Sequence, residues 1–218
     1  MKTYKISVNL LTDTLIGSAE GYGAIIDSDV IFDDAGIPYI PAKRFKGILR
    51  ESAEILENLF KGIGKNFDLK IDEILGEVGM TDKESAVNIP DLFIPQYLEN
   101  FAYVKYLQNL KDELAGFYIS KDMVMSYFTE VRINTKVNSK FGVSERGSLR
   151  TLRLINKGLT FENNINIDEK YENIFALICK ATKKIGSKRN RGLGKIGIIL
   201  YDDKNKEIQP SLTNDVNR

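Results

Sequence analysis

Residues 185–200 read IGSKRNRGLGKIGIIL, which places four cations and four glycines in sixteen positions with no acid among them. Two chemistries call for that combination. A dinucleotide site needs glycines so that a pyrophosphate can approach the backbone, and Gly192-Leu193-Gly194-Lys195-Ile196-Gly197 matches GxGxxG letter for letter. A polyanion site needs amides uncovered by side chains, with guanidinium and ammonium groups around them. Order excludes the first. A dinucleotide fingerprint leaves a strand and opens a helix, whereas these glycines follow a helical pattern and enter the strand-like KIGIILYD. A P-loop fails as well, because Ile196 stands where Ser or Thr should follow Gly194-Lys195. What remains is a glycine-rich turn. In it Gly186, Gly192 and Gly194 let the backbone approach a phosphate, and Lys188, Arg189 and Arg191 supply the charge.

The rest of the composition narrows the chemistry further. The chain has no histidine, which excludes Ser-His-Asp and Cys-His catalysis and any imidazole-bound zinc. Catalysis would have to use carboxylates, lysine, tyrosine or a metal held by oxygen ligands. The single cysteine, Cys179, lies beside Ile178 and Ala176 and reads as core filler; it rules out an internal disulfide and fits a reducing, cytoplasmic setting. No run approaches the roughly 18 apolar residues of a membrane span, and the N-terminus lacks a signal-peptide pattern.

Net charge is only +1, yet the charge is segregated. Residues 43–50, 132–157 and 180–195 hold 18 of the 31 Lys and Arg residues in 50 positions, with Glu145 their only acid. One strongly positive face on a nearly neutral molecule points to a polyanionic partner.

The elements that must position these groups are partly legible. YKISVNL, residues 4–10, alternates Tyr4, Ile6, Val8 and Leu10 on one strand face, and AIIDSDVIFD, residues 24–33, reads as a second strand. A helix is expected from Pro41, burying Phe45, Ile48, Leu49, Ile55, Leu56 and Leu59 and turning Lys43, Lys46 and Arg50 away. Cations in its first turn oppose the helix dipole, a conflict that a bound anion would remove. About 61–125 reads as an insertion, and PQYLENFAYVKYLQNLKDEL within it looks helical. VMSYFTEVRI, SLRTLRLI and LTFENNINI read as strands, with a basic projecting hairpin at about 132–150. IDEKYENIFALICKATKKIG reads as a helix with Gly186 just past its end, before the last strand. The tail 204–218 is polar and expected to fray. Without insertions the order is strand, helix, strand, strand, helix, strand. This is an α+β, ferredoxin-like (RRM-like) antiparallel sheet with two helices and a glycine-rich loop, one domain over 1–203.

Four ordered motifs resemble the RAMP superfamily of CRISPR-associated proteins. GSKRNRGLGKI is similar to its C-terminal glycine-rich signature, and GIPYIPAKRFKGILRESAE to its Pro-rich helix entry. EILGEVG followed by VNIPDLFI resembles its short glycine turn and the strand after it. FTEVRINTKVNSKFGVSERGSLRTLRLINKGLTFENNI is similar to its projecting hairpin. The resemblance implies a subunit that binds CRISPR RNA in a multisubunit type III or III-D-like effector, with target nucleic acid met through the guide. It implies that Lys43, Arg44, Lys46 and Arg50 line the RNA groove, that Gly186, Lys188, Arg189, Arg191, Gly192 and Gly194 contact phosphates, and that Arg146, Arg150 and Arg153 belong to the hairpin side. The favoured role is a non-catalytic cap on the guide's 5′ handle, without a cofactor. The alternative is a repeating backbone subunit, in which Asp27 would hold Mg²⁺ and cut target RNA; Asp29 shares its strand face. A guide-processing endoribonuclease is a third reading, and a generic RRM-like binder would need RNP-type aromatics that the sequence lacks.

Overall fold

A computed structural model describes residues 1–17, 26–65, 67–77, 85–110, 118–135 and 147–211. Alternation of apolar and polar residues builds the central strand β1 (Lys2–Leu10), which is flanked by β5 (Thr160–Ile167) and β6 (Ile196–Tyr201). With the two-residue β2 (Val87–Asn88) the antiparallel sheet has the order β2-β5-β1-β6, the ferredoxin-like arrangement. One face is largely apolar: Tyr4, Ile6 and Val8 of β1, Phe161 and Ile165 of β5, and Ile198 and Leu200 of β6 are all buried, with Asn163 as the polar exception. They join one core with Phe45, Leu49 and Ala53 of α1 (Ala42–Gly62) and Phe175, Ile178 and Cys179 of α5 (Glu172–Ala181).

The other face of β1 and β5 is a polar carpet. Thr160 donates to Asn9 (2.6 Å), Thr3 donates to Asn166 (3.0 Å), and Lys5 pairs with Glu162 (2.9 Å). No aromatic of either central strand points this way, since Tyr4 and Phe161 belong to the core. The base-stacking surface of an RRM is therefore absent from β1 and β5.

Several expectations change. AIIDSDVIFD makes only isolated bridges over its described part, residues 26–33, because Asp29 turns its carboxylate onto the Val30 amide (2.8 Å) instead of leaving a continuous ladder. The sheet's outer strand is β2, inside the stretch read as an insertion. That stretch also holds α2 (Ile71–Leu75) and α3 (Tyr97–Asn109). VMSYFTEVRI begins as helix α4 (Lys121–Phe128), capped by Ser120 accepting from the Met123 amide, and becomes strand only at β3 (Thr129–Asn134). On α1, Ile55 and Leu59 are 54% and 62% exposed, because the described core beneath α1 ends near Ala53 and Leu56. Helix α5 stops at Ala181, where Thr182 turns extended and its hydroxyl bonds the Ile178 carbonyl (2.9 Å); Gly186 lies beyond, in a separate loop. Residues 207–208 return along β6, and Ser211 bonds Asn173, so the described tail is held.

Strands β3 and β4 (Arg150–Ile155) form a separate hairpin, and its projecting part, 136–146, lies outside the described residues. Its base is fixed from within. Arg153 reaches the buried Asp29 (3.3 Å) and lies over the Phe32 ring (5.7 Å).

Two glycines hold the loop after α5. A Cβ on Gly186 would sit 2.3 Å from the Leu15 carbonyl oxygen, and one on Gly194 would sit 2.0 Å from that of Ile185; both residues have positive φ. Gly192 has φ +79° but open space around it. Gly186→Ala and Gly194→Ala should each destabilise the fold by roughly 2–4 kcal/mol, against about 1 kcal/mol for Gly192→Ala, read by urea unfolding. Arg153→Ala should cost about 3 kcal/mol, by leaving Asp29 buried without its partner. The exposed Arg150→Ala should cost less than about 1 kcal/mol in the same assay.

Candidate nucleic-acid interface

The surface is organised by a strap, residues 11–17. On one side it bonds the glycine-rich loop: Ser187 donates to the Leu15 carbonyl (2.8 Å) and Gly194 to that of Asp13 (3.0 Å). On the other it bonds the hairpin, with Thr14 and Ile155 exchanging amide bonds (2.9 and 2.8 Å). Asp13 adds side-chain links to the Lys157 amide (2.9 Å) and to Arg132 (2.6 Å). The two basic segments, far apart in sequence, are thereby brought to one edge of the molecule.

Between them opens a cleft of about 890 Å³. Lys188, Arg191 and Arg150 supply its cations, while Asp27, Asn134 and Ser148 are among its other lining residues. Lys188 takes the left-handed conformation (φ 56°) and starts the 3₁₀ turn Arg189–Arg191. Partial burial, with Arg191 and Arg150 nearby, lowers its pKa despite an opposing pull from Asp27. Three cations set this close favour occupation by an anion.

On the far side of the loop, Lys43 and Arg44 at the start of α1 line a second hollow of about 250 Å³ with Gly47, Gly186 and Ser187. The loop is thus a cationic ridge between two clefts. Its glycines act mainly through close packing: the amides of Ser187, Arg191 and Gly194 bond protein carbonyls, so the anion-facing donors are chiefly side chains.

The structure separates the other residues singled out from sequence. Arg189 forms a two-pronged pair with Glu51 of α1 (2.9 Å to each oxygen) and braces the ridge. Arg50 turns inward to Asp72 (2.6 Å) and the Gly76 carbonyl, away from Lys43 and Arg44. Arg153 is engaged with Asp29. Lys46 is partly buried, and desolvation lowers its pKa. Arg146 lies outside the described residues. The expected anion at the N-terminus of α1 is met by Asp91, whose carboxylate accepts from the Ala42 amide (2.7 Å). Sequence reasoning missed Asn134 and Ser148. Both lie in the stretch similar to the projecting hairpin but carry no charge to single them out, and they reach the cleft because the β3–β4 hairpin brings its strand ends there.

Among the described residues, Asp27 is the one acid lining the main cleft. Its Oδ2 accepts from the Thr151 amide (2.8 Å), and its Oδ1 faces Arg150 at 3.3 Å. The amide bond, then the Arg150 contact, holds its carboxyl below the usual aspartate range. Asp29, two residues on, is buried on Arg153. Among the described residues no group of three or more His, Cys, Asp or Glu side chains is placed to hold a metal. One carboxylate oxygen of Asp27 is thus on an amide and the other beside a guanidinium.

No curated protein matches the sequence. Among solved structures, the chain is similar to one in a cryo-EM structure of the type III-B Cmr-beta complex bound to cognate target RNA: TM-score 0.65 and 15% identity, covering 92% of this chain and 97% of that one. It is also similar to one in the apo-state structure of Cmr-beta, at TM-score 0.63 and 13% identity, covering 93% and 98%. The model of the RAMP superfamily matches residues 7–197, and the chain belongs to that superfamily.

Proposed function

We propose that this chain is the subunit of a type III CRISPR effector complex that binds CRISPR RNA and holds the 5′ handle of the guide. The observation that carries the reading is the cationic ridge 186–194, flanked by Lys43 and Arg44 on one side and Arg150 on the other. Three sequence segments converge on it, and a repeating phosphodiester has the charge spacing to use all of them. Similarity to chains of Cmr-beta, one of them with target RNA bound, supports the assembly, in which target is met through the guide and other effector subunits are neighbours. No helix among the described residues is long and apolar enough to cross a membrane, which suits the cytoplasmic ribonucleoprotein that we propose.

Within that assembly the engaged carboxylate of Asp27 favours a cap that binds without cutting over a cleaving backbone subunit, and binding by this ridge needs no cofactor. The proposed contact set is Lys43, Arg44, Arg150, Lys188 and Arg191, with Arg189 as a brace.

Affinity for guide RNA should fall steeply with salt, and Lys188→Ala and Arg191→Ala should each lower the slope of log K against log salt by about 1. Fluorescence anisotropy from low to moderate salt measures this, and an unchanged slope in both variants removes the ridge from the RNA site. In the reconstituted complex with labelled guide, complementary target and Mg²⁺, the 5′ handle should be protected and no target cut should depend on Asp27. Cuts at regular intervals that vanish with Asp27→Ala would instead make this a catalytic backbone subunit.

A further inference from the structure

The main cleft mixes two kinds of group: Lys188, Arg191 and Arg150 are cationic, whereas Asp27, Ser28 and Asn134 offer hydrogen-bonding groups without positive charge. An acid in a phosphate groove repels the backbone it should attract, so its presence requires another reason. Asp27 has one structural duty: its amide donates to the Thr151 carbonyl (3.0 Å) and its Oδ2 accepts from the Thr151 amide, which pins the start of β4. That uses one oxygen. Oδ1 keeps only the long contact to Arg150, and the side chain is 40% exposed. An ionised carboxylate offers about four lone-pair sites, so acceptor capacity remains on the cleft side.

We infer that Asp27 reads one nucleotide of the bound RNA by accepting a hydrogen bond from a base N–H or a ribose 2′-hydroxyl, while the cations of the cleft hold the adjoining phosphates. The inference rests on the proposed RNA-binding function and adds a specificity-determining residue to it. A volume of about 890 Å³ is enough to seat at least one nucleotide. The depressed pKa of Asp27 keeps the acceptor ionised at neutral pH. Phosphate contacts position RNA without identifying it; an acceptor that phosphate cannot satisfy supplies identity.

The test is a double-mutant cycle between protein and RNA. The assembled complex is titrated with guide RNAs altered one position at a time across the 5′ handle. One arm removes the 2′-hydroxyl, and the other removes a base donor, as inosine does for the guanosine amine. Wild type should lose about tenfold in affinity at one position in one arm, and the arm identifies the donor. The same RNA change should cost Asp27→Ala less than about twofold, because the partner is already gone. Asp27→Asn, which keeps an acceptor for the Thr151 amide but can turn its amide toward the cleft, should also lose the discrimination while melting like wild type. If Asp27→Ala and Asp27→Asn both keep wild-type discrimination at every position, or if wild type shows none, the inference fails although guide binding stands. If Asp27→Ala tightens all RNAs equally, the residue is merely repulsive and the inference again fails. Loss of salt-sensitive guide binding in wild type itself would overturn the underlying functional reading instead.

Discussion

The close approach of three backbone segments governs the rest of this surface. The strap 11–17 lies between the glycine-rich loop and strand β4 and bonds to both through main-chain groups. Such bonds demand that carbonyl oxygens come where a Cβ would otherwise stand. Gly186 and Gly194 leave that space, with oxygens of Leu15 and Ile185 in the positions their side chains would take. Backbone hydrogen bonds buried by this packing are costly to leave unmade, so the loop and the hairpin are fixed relative to each other. The cleft between them is a consequence of that fixation.

Charge is then sorted by what each cation finds nearby. Arg50, Arg153 and Arg189 reach carboxylates of α2, of the 26–32 segment and of α1, and they become struts. Lys188, Arg191 and Arg150 are left facing one cleft, and Lys43 and Arg44 the other. A nearly neutral molecule thereby acquires a directional field, since the carboxylates balancing its net charge are mostly elsewhere. Asp27 is the exception within the cleft. It is held by the Thr151 amide of β4 and faces the Arg150 guanidinium.

Much of this was legible in residue order. Alternation over residues 4–10, the apolar run in KIGIILYD, the 3.6-residue period of α1 and the end signals of the helix over 167–186 pointed to the central strands and both helices. The basic, glycine-rich run marked the ridge without any fold in hand. Other parts were not legible, for specific reasons. Residues 24–33 alternate like a strand, but an aspartate that bonds its own backbone breaks the ladder. Residues 124–133 read as a strand, yet a cap at Ser120 starts a helix that runs to Phe128. The outer strand β2 is two residues long, below what any periodicity can show.

The sequence by itself determined the chemistry available. Without histidine, and with segregated cations and glycines in a helix-to-strand turn, it pointed to phosphate binding and excluded dinucleotide and imidazole chemistry. Composition and spacing carry that information because side-chain charge and glycine freedom are local properties. Only the tertiary structure decided which cations face a ligand. A guanidinium binds whichever carboxylate lies within reach, and reach across 22, 124 or 138 residues of chain is set by packing. The same holds for Asp27 and Asn134, which share a cleft because the strap and the hairpin meet there.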